Sequence, residues 1–192
     1  VTVEFETIST YTLTLTSEPT EGGNVSGAGE YQEGAIVSLS ATPASGYEFV
    51  NWTNANGEVG ASADYDYTMP AENASLTANF EKTTYQVTFE AAAGNGSIEA
   101  TVDGSGISSG DKVEEGLDVV FTATPDSGYQ IKEWYVNGTA QNSTGEGYTI
   151  TGLQQNTNVT VEFETISTYT LSLISEPTEG GNVSGAGEYQ EG

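Results

Sequence analysis

Ala41-Thr-Pro-Ala-Ser-Gly-Tyr-Glu-Phe-Val-Asn-Trp52 returns later in the same chain as Ala123-Thr-Pro-Asp-Ser-Gly-Tyr-Gln-Ile-Lys-Glu-Trp134. Each block sets Pro and Gly around a turn and then runs through aromatic and aliphatic residues to a Trp, which reads as a turn feeding a half-buried strand. The neighbours on both sides repeat as well. Upstream, Tyr11-Thr-Leu-Thr-Leu matches Tyr85-Gln-Val-Thr-Phe and again Tyr169-Thr-Leu-Ser-Leu. Downstream, Leu76-Thr-Ala-Asn-Phe-Glu81 matches Val159-Thr-Val-Glu-Phe-Glu164 and also Val1-Thr-Val-Glu-Phe-Glu6. The first Tyr recurs after 74 residues and then after 84, a full period of 158.

At that period Val1 to Gly34 returns as Val159 to Gly192, with Ser172 for Thr14 and Ile174 for Thr16 as the two changes in 34 positions. Near-identity over such a length marks recent duplication within a longer array. The expected organisation is A-B-A-B: residues 1–9 as the last strand of a preceding B repeat, 10–83 as repeat A, 84–166 as repeat B, and 167–192 as the first half of the next A repeat. B is the longer unit, with its extra residues between Gly96 and Gly116. Val1 opens inside a strand pattern, so the ends of the natural protein are expected to lie elsewhere.

Strand alternation fills each unit. Tyr11, Leu13 and Leu15 oppose Thr12, Thr14 and Thr16; Val37, Leu39 and Ala41 oppose Ser38 and Ser40; Val159, Val161 and Phe163 oppose Thr160, Glu162 and Glu164. Turn formers punctuate the runs at Gly22-Gly23-Asn24, Asn54 to Gly57 and Asn137-Gly138, and no stretch carries helical apolar spacing. The period therefore predicts two all-β domains of about six short strands each. Units of this size sit near the lower limit for independent folding. Tyr47, Phe49, Trp52, Tyr65 and Phe80 in A, with Tyr129, Ile131, Trp134, Tyr148 and Phe163 in B, are the expected aromatic and aliphatic cores.

Charge narrows the function. The chain holds 28 acidic and three basic side chains (Lys82, Lys112 and Lys132), for a net charge of −25, with no Arg, His or Cys. Nucleic-acid binding needs cations to displace counterions from phosphates, and anionic lipid repels such a surface. Thiolate metal sites, disulfides and imidazole catalysis are unavailable. Trypsin-like proteases find few sites, which suits life outside the cell. No apolar run approaches the length of a membrane span.

These residues resemble a known family. Tyr11-Thr-Leu-Thr-Leu, Gly22-Gly-Asn-Val-Ser-Gly-Ala-Gly-Glu-Tyr31, Ser38-Leu-Ser-Ala-Thr-Pro-Ala-Ser-Gly-Tyr-Glu-Phe-Val-Asn-Trp52 and Tyr67-Thr-Met-Pro-Ala-Glu-Asn-Ala-Ser-Leu-Thr-Ala-Asn-Phe80 are similar to divergent internalin-type B-repeats, over nearly all of A and most of B. In B the Met-Pro-Ala-Glu-Asn segment is replaced by Ile150-Thr-Gly-Leu-Gln-Gln-Asn156. The resemblance implies compact β modules related to the β-grasp fold with one short helical turn, arrayed on bacterial surface proteins, with no catalytic residues.

Each candidate site has a competing structural reading. Trp52 and Trp134 could stack on sugar rings, but their shared position beside Gly-Tyr fits core packing better. Asp103, Asp111, Glu114, Glu115 and Asp118 invite a calcium reading, with Asp103, Asp111 and Asp118 as the candidate ligands. Their spacing matches no calcium loop, and A lacks the insertion, so solvated surface charge is favoured. Asp64 and Asp66 share one strand face. Lys132 replaces Val50 and is read as an edge-facing Lys, with an intramolecular isopeptide crosslink as the alternative. The Asn-x-Ser/Thr sequons, from Asn24 to Asn158, reflect composition.

Junctions decide the expected architecture. Glu81-Lys-Thr-Thr84 and Glu164-Thr-Ile-Ser-Thr168 contain no Gly, Pro or Asn, so a loose tether is not expected. Each junction reads as extended chain passing from one unit into the next, with a hairpin turn as the alternative. The expected fold is all-β: small sandwich-like or grasp-like modules in tandem, forming an elongated rod whose partners are the neighbouring repeats. The expected role is the stalk of an extracellular bacterial adhesin or filament, with no enzyme activity and no cofactor. Glycans or surfaces would then be met through other domains. The alternative is that each repeat binds glycan and gains avidity by repetition.

Overall fold

A computed structural model describes residues 8–176 and 178–190. The expected strand at 1–9 falls mostly outside the described residues. Backbone contacts divide the chain between Thr84 and Tyr85. The first module contains eight strands: β1 (Thr10–Glu18), β2 (Gly23–Ser26), β3 (Gly29–Gln32), β4 (Ile36–Pro43), β5 (Tyr47–Asn54), β6 (Gly57–Gly60), β7 (Asp64–Thr68) and β8 (Ala74–Lys82). They form a five-stranded sheet ordered β3-β1-β8-β5-β6 and a three-stranded sheet ordered β2-β4-β7. A single 3-10 turn, Thr20–Gly22, follows β1 and supplies the short helical element implied by the family resemblance.

The alternation places the core. Leu13, Trp52, Leu76, Ala78 and Phe80 from the larger sheet meet Val37, Leu39 and Ala41 from the smaller one in a single buried cluster, joined by Met69. The outward residues Thr12, Thr14 and Thr16 of β1 face away from it, as period-2 spacing requires. The module is therefore sandwich-like, with two sheets sharing one interior.

The second module repeats this plan with nine strands: β9 (Thr84–Ala92), β10 (Gly96–Val102), β11 (Ser105–Ile107), β12 (Lys112–Glu114), β13 (Val119–Pro125), β14 (Tyr129–Val136), β15 (Thr139–Ala140), β16 (Gly147–Ile150) and β17 (Thr157–Thr165). Its sheets are ordered β12-β9-β17-β14-β15 and β11-β10-β13-β16. Val87, Val119, Phe121, Trp134, Val159 and Val161 are fully buried in one cluster. Both strand counts exceed the expected six, because two- to four-residue edge strands such as β6, β11 and β15 are too short to show alternation. The residues that lengthen B form strands and a tight turn. β10 and β11 make a hairpin closed by Asp103-Gly104, whose φ values of 49° and 77° are those of a two-residue primed turn.

The aromatic strand breaks the simple period. Phe49 and Trp52 are three residues apart, so an unbroken strand would send them to opposite faces. β5 bulges between Phe49 and Asn51 in its register with β8, and β14 bulges between Ile131 and Glu133 against β17. Each bulge turns one residue, Val50 or Lys132, toward solvent and returns the Trp to the core side. The Phe49 and Trp52 rings then lie 5.9 Å apart.

Residues 167–190 carry the front of a further A repeat. β18 (Thr168–Leu171) pairs with β19 (Gly187–Gln190) so that Tyr169 faces Tyr189, the register in which Tyr11 of β1 faces Tyr31 of β3. Leu171 is 47% exposed, whereas its counterpart Leu13 is 1% exposed. The strands that cover Leu13 have no counterpart among residues 167–190.

One close approach recurs in both modules. A Cβ on Gly23 would lie 2.5 Å from Phe80 Cζ and 2.6 Å from the Thr42 carbonyl oxygen; on Gly96 it would lie 2.6 Å from Phe163 Cζ and 2.7 Å from the Thr124 oxygen. We expect Gly96→Ala to cost about 1–3 kcal/mol through overpacking. The measure is the denaturant midpoint of the second module. Gly106→Ala, where a Cβ meets nothing within 4 Å, is the control and should stay within about 0.5 kcal/mol.

Candidate functional site

The two tryptophans are wholly buried. Trp52 Nε1 donates to the Ala63 carbonyl at 3.4 Å and Trp134 Nε1 to the Gly145 carbonyl at 2.8 Å, so each indole has its one polar group satisfied inside the fold. Trp134 stacks on Tyr148 with centroids 5.7 Å apart. Neither indole presents an open face to a sugar ring.

The acidic residues of the second module are dispersed. Asp103 sits in the β10–β11 turn; the Asp111 carboxylate accepts the Ser108 N–H at 2.8 Å; the Asp118 carboxylate accepts the Gly152 N–H at 2.7 Å. The latter two serve local turns or link neighbouring loops. Among the described residues no group of three or more Asp or Glu converges as a cation would require. In the first module Asp66 and Asp64 each accept a hydroxyl from the facing strand, Ser38 and Ser40 respectively, both at 2.7 Å. These are cross-strand pairs on an exposed face.

Lys132 lies at the β14 bulge and points to solvent. Its Nζ donates to Glu162 Oε2 at 2.9 Å on the neighbouring strand, and Tyr135 donates its hydroxyl to the same oxygen at 3.2 Å. The hydrogen bond from Lys132, joined by its charge, holds the Glu162 carboxyl below the ordinary glutamate range, and the same bond raises the Lys132 ammonium. The pair is half exposed on the Lys side, so it is a surface ion pair rather than a buried crosslink precursor.

A groove of about 420 Å³ lies beside the loop between β7 and β8, lined by Asn54, Asn56, Tyr67, Pro70, Glu72 and Asn73 among others. The corresponding place in the second module is lined by Val136, Ile150, Leu153, Gln154, Gln155 and Thr157. Asn54 and Tyr67 of the first groove give way to Val136 and Ile150 in the second, while Gln154 and Gln155 keep amides there, so the grooves share a position and not their individual side chains. Burial, followed by the nearby Tyr65 and Glu72, raises the Tyr67 phenol above its usual value.

What the modules do share is the framing of their first and last strands. Asn73 Oδ1 accepts the Thr12 N–H at 2.9 Å, and Asn156 Oδ1 accepts the Gln86 N–H at 2.8 Å. The replaced loop keeps its function: Gly34 N–H donates to the Met69 carbonyl and Met69 N–H to Ala35, while Gly116 N–H donates to Leu153 and Leu153 N–H to Leu117. Leu153, 1% exposed, thus fills the place of Met69. In the sequence Asn73 stands only as one of the Asn-x-Ser/Thr sequons and Asn156 only as the end of the replaced segment. Their signal was an Asn just before the last strand in both repeats. The junctions are likewise pinned. Thr83 N–H donates to the Gly46 carbonyl and Ile166 N–H to the Gly128 carbonyl, both at 2.9 Å, so each Gly-Tyr turn holds the residue that leads out of its module.

The comparisons follow the same division. A family model described as divergent InlB B-repeat domain matches residues 13–84 and, separately, residues 85–167. No curated protein matches the chain. Among solved structures, the Bacillus anthracis TIE protein aligns at 13% identity with a TM-score of 0.43, over 84% of this chain and 34% of that one. The chain therefore spans about a third of the length of that structure.

The Lys132 pair gives a pH test. Because the folded-state Glu162 carboxyl is held low, the contribution of the pair is present above the unfolded glutamate value and is lost as pH falls through the lowered folded value. We expect carboxyl NMR to show Glu162 titrating below the usual glutamate midpoint, and Lys132→Met to move that midpoint upward.

Proposed function

We propose that this chain, which belongs to the divergent InlB B-repeat family, is a spacer segment in the stalk of an extracellular bacterial adhesin or filament and holds an adhesive tip away from the cell. Repeats of this family are carried by bacterial surface proteins, and the chain contains two of them in direct succession. The observation that carries the reading is the brevity of the junctions. β8 ends at Lys82 and β9 begins at Thr84; β17 ends at Thr165 and β18 begins at Thr168. The intervening Thr83 and Ile166 are themselves hydrogen-bonded to the module they leave. Little free chain remains to act as a hinge.

Other features support a mechanical role over a chemical one. The acids are spread over turns and strand faces, the tryptophans are interior, and the side chains lining the groove beside the last strand differ between the two repeats. The reading therefore assigns no catalysis, no cofactor and no ligand to the repeats, and makes neighbouring repeats their main partners. A glycan-binding role would have to work without an open indole. The dense negative charge would keep parallel stalks apart and soluble outside the cell.

Electron microscopy of arrays with two, four and six A-B periods tests the proposal. We expect rods whose contour length grows in proportion to the number of periods. Compact particles, or beads on freely bending strings, would overturn it.

A further inference from the structure

Each module begins and ends with strands that lie side by side and run the same way. β1 pairs parallel with β8 through six successive positions, from Leu13 opposite Ala74 to Glu18 opposite Asn79. β9 pairs parallel with β17 through six, from Val87 opposite Thr157 to Glu162 opposite Ala92. β8 is held on its other edge by β5, and β17 by β14. From this topology we infer that every module is a force clamp: tension along the chain is resisted by the parallel ladder between its first and last strands.

The argument is geometric. In a parallel pair, the entrance to the first strand and the exit from the last strand are at opposite ends of the ladder. Tension applied to the chain on either side of a module draws the two strands past each other along their length. All six ladder positions then carry load together, and none can be released alone. Had the terminal strands been antiparallel, entry and exit would share one end, and the same tension would open the ladder one pair at a time. Forced unfolding is governed by the rate of crossing the unfolding barrier, so loading many bonds at once raises the force that the module survives.

Side chains reinforce the same line. The Thr16 and Thr77 hydroxyls share a hydrogen bond at 3.0 Å across β1 and β8, and Asn158 Nδ2 donates to Thr88 Oγ1 at 2.9 Å across β17 and β9. Asn73 and Asn156 tie the start of the last strand to the first strand at the N-terminal end of each ladder. At the other end, the bonds from Thr83 to Gly46 and from Ile166 to Gly128 anchor the point where the load leaves. Devices found at both ends of both ladders, in repeats whose grooves and hairpins have diverged, fit a shared load-bearing role. The inference deepens the spacer reading, for which it supplies tensile strength, but the two fail separately. Globular arrays would remove the spacer and leave the clamp, and weak ladders would remove the clamp and leave the spacer.

Single-molecule force spectroscopy on the full chain tests it, because the absence of native Cys makes introduced thiols unique handles. Ser9→Cys with Glu81→Cys pulls β1 against β8 lengthwise. Ser9→Cys with Ala71→Cys pulls the same two strands apart from one end. At equal loading rate we expect the lengthwise geometry to rupture at about threefold or more the force of the other. Denaturant midpoints that agree between the two variants would assign the difference to geometry. Equal rupture forces, or a weaker lengthwise geometry, would overturn the clamp. If a first-module variant does not fold, Thr84→Cys paired with Glu164→Cys, against Thr84→Cys paired with Gln155→Cys, makes the same comparison in the second module.

Discussion

The strand that each repeat supplies last is the one its larger sheet places in the middle. β8 lies between β1 and β5, and β17 between β9 and β14, so each has hydrogen-bonded partners on both edges. Everything else in the module depends on this insertion. It joins residues separated by more than 60 positions, brings Leu76, Ala78 and Phe80 under Trp52, and turns two hairpin-bearing halves into one closed interior. A chain of this size without disulfides has few other ways to gather enough buried surface. The aromatic residues provide it, with Phe80 set edge-on to Phe49 at 5.9 Å and Phe121 edge-on to Phe89 at 5.7 Å.

The front of the next A repeat keeps the strand pairing of the first. Its β18–β19 pair has nearly the same sequence and the same register as β1–β3, yet Tyr169, Leu171 and Tyr189 are all exposed. In this segment the pair lies without the strands that cover Leu13 in the first module.

Much of the architecture was legible because alternation is a local signal. Tyr11 to Leu15, Val37 to Ala41 and Val159 to Phe163 declare their faces within five residues, and the all-β fold and the repeat family follow from them. Three features were not legible. The order of strands in a sheet is set by packing between distant segments, which no window of sequence reports. The bulges at Val50 and Lys132 were visible only as a three-residue gap between large apolar residues, Phe49 to Trp52 and Ile131 to Trp134, in a strand otherwise of period two. The edge strands of two to four residues are too short to show any period. For the candidate sites, residue type says little about where the fold places a side chain. Asp103, Asp111 and Asp118 gather in sequence but are drawn to separate turns by backbone N–H groups and turn geometry. Asn73 and Asn156, ordinary in composition, turn out to frame both ladders.

A consistent physical picture links these levels. In the proposed stalk, tension entering a module would meet the parallel pair of its first and last strands, and the central last strand ties that pair to the core. Native-state hydrogen exchange on the whole chain tests that centrality most directly, because amides in the strand that closes the fold open only when the module unfolds. The slowest-exchanging amides should be those of β8 and β17, with β3, β6, β12 and β15 exchanging faster and β18–β19 fastest. Exchange in β8 and β17 as fast as in those edge strands would contradict the account.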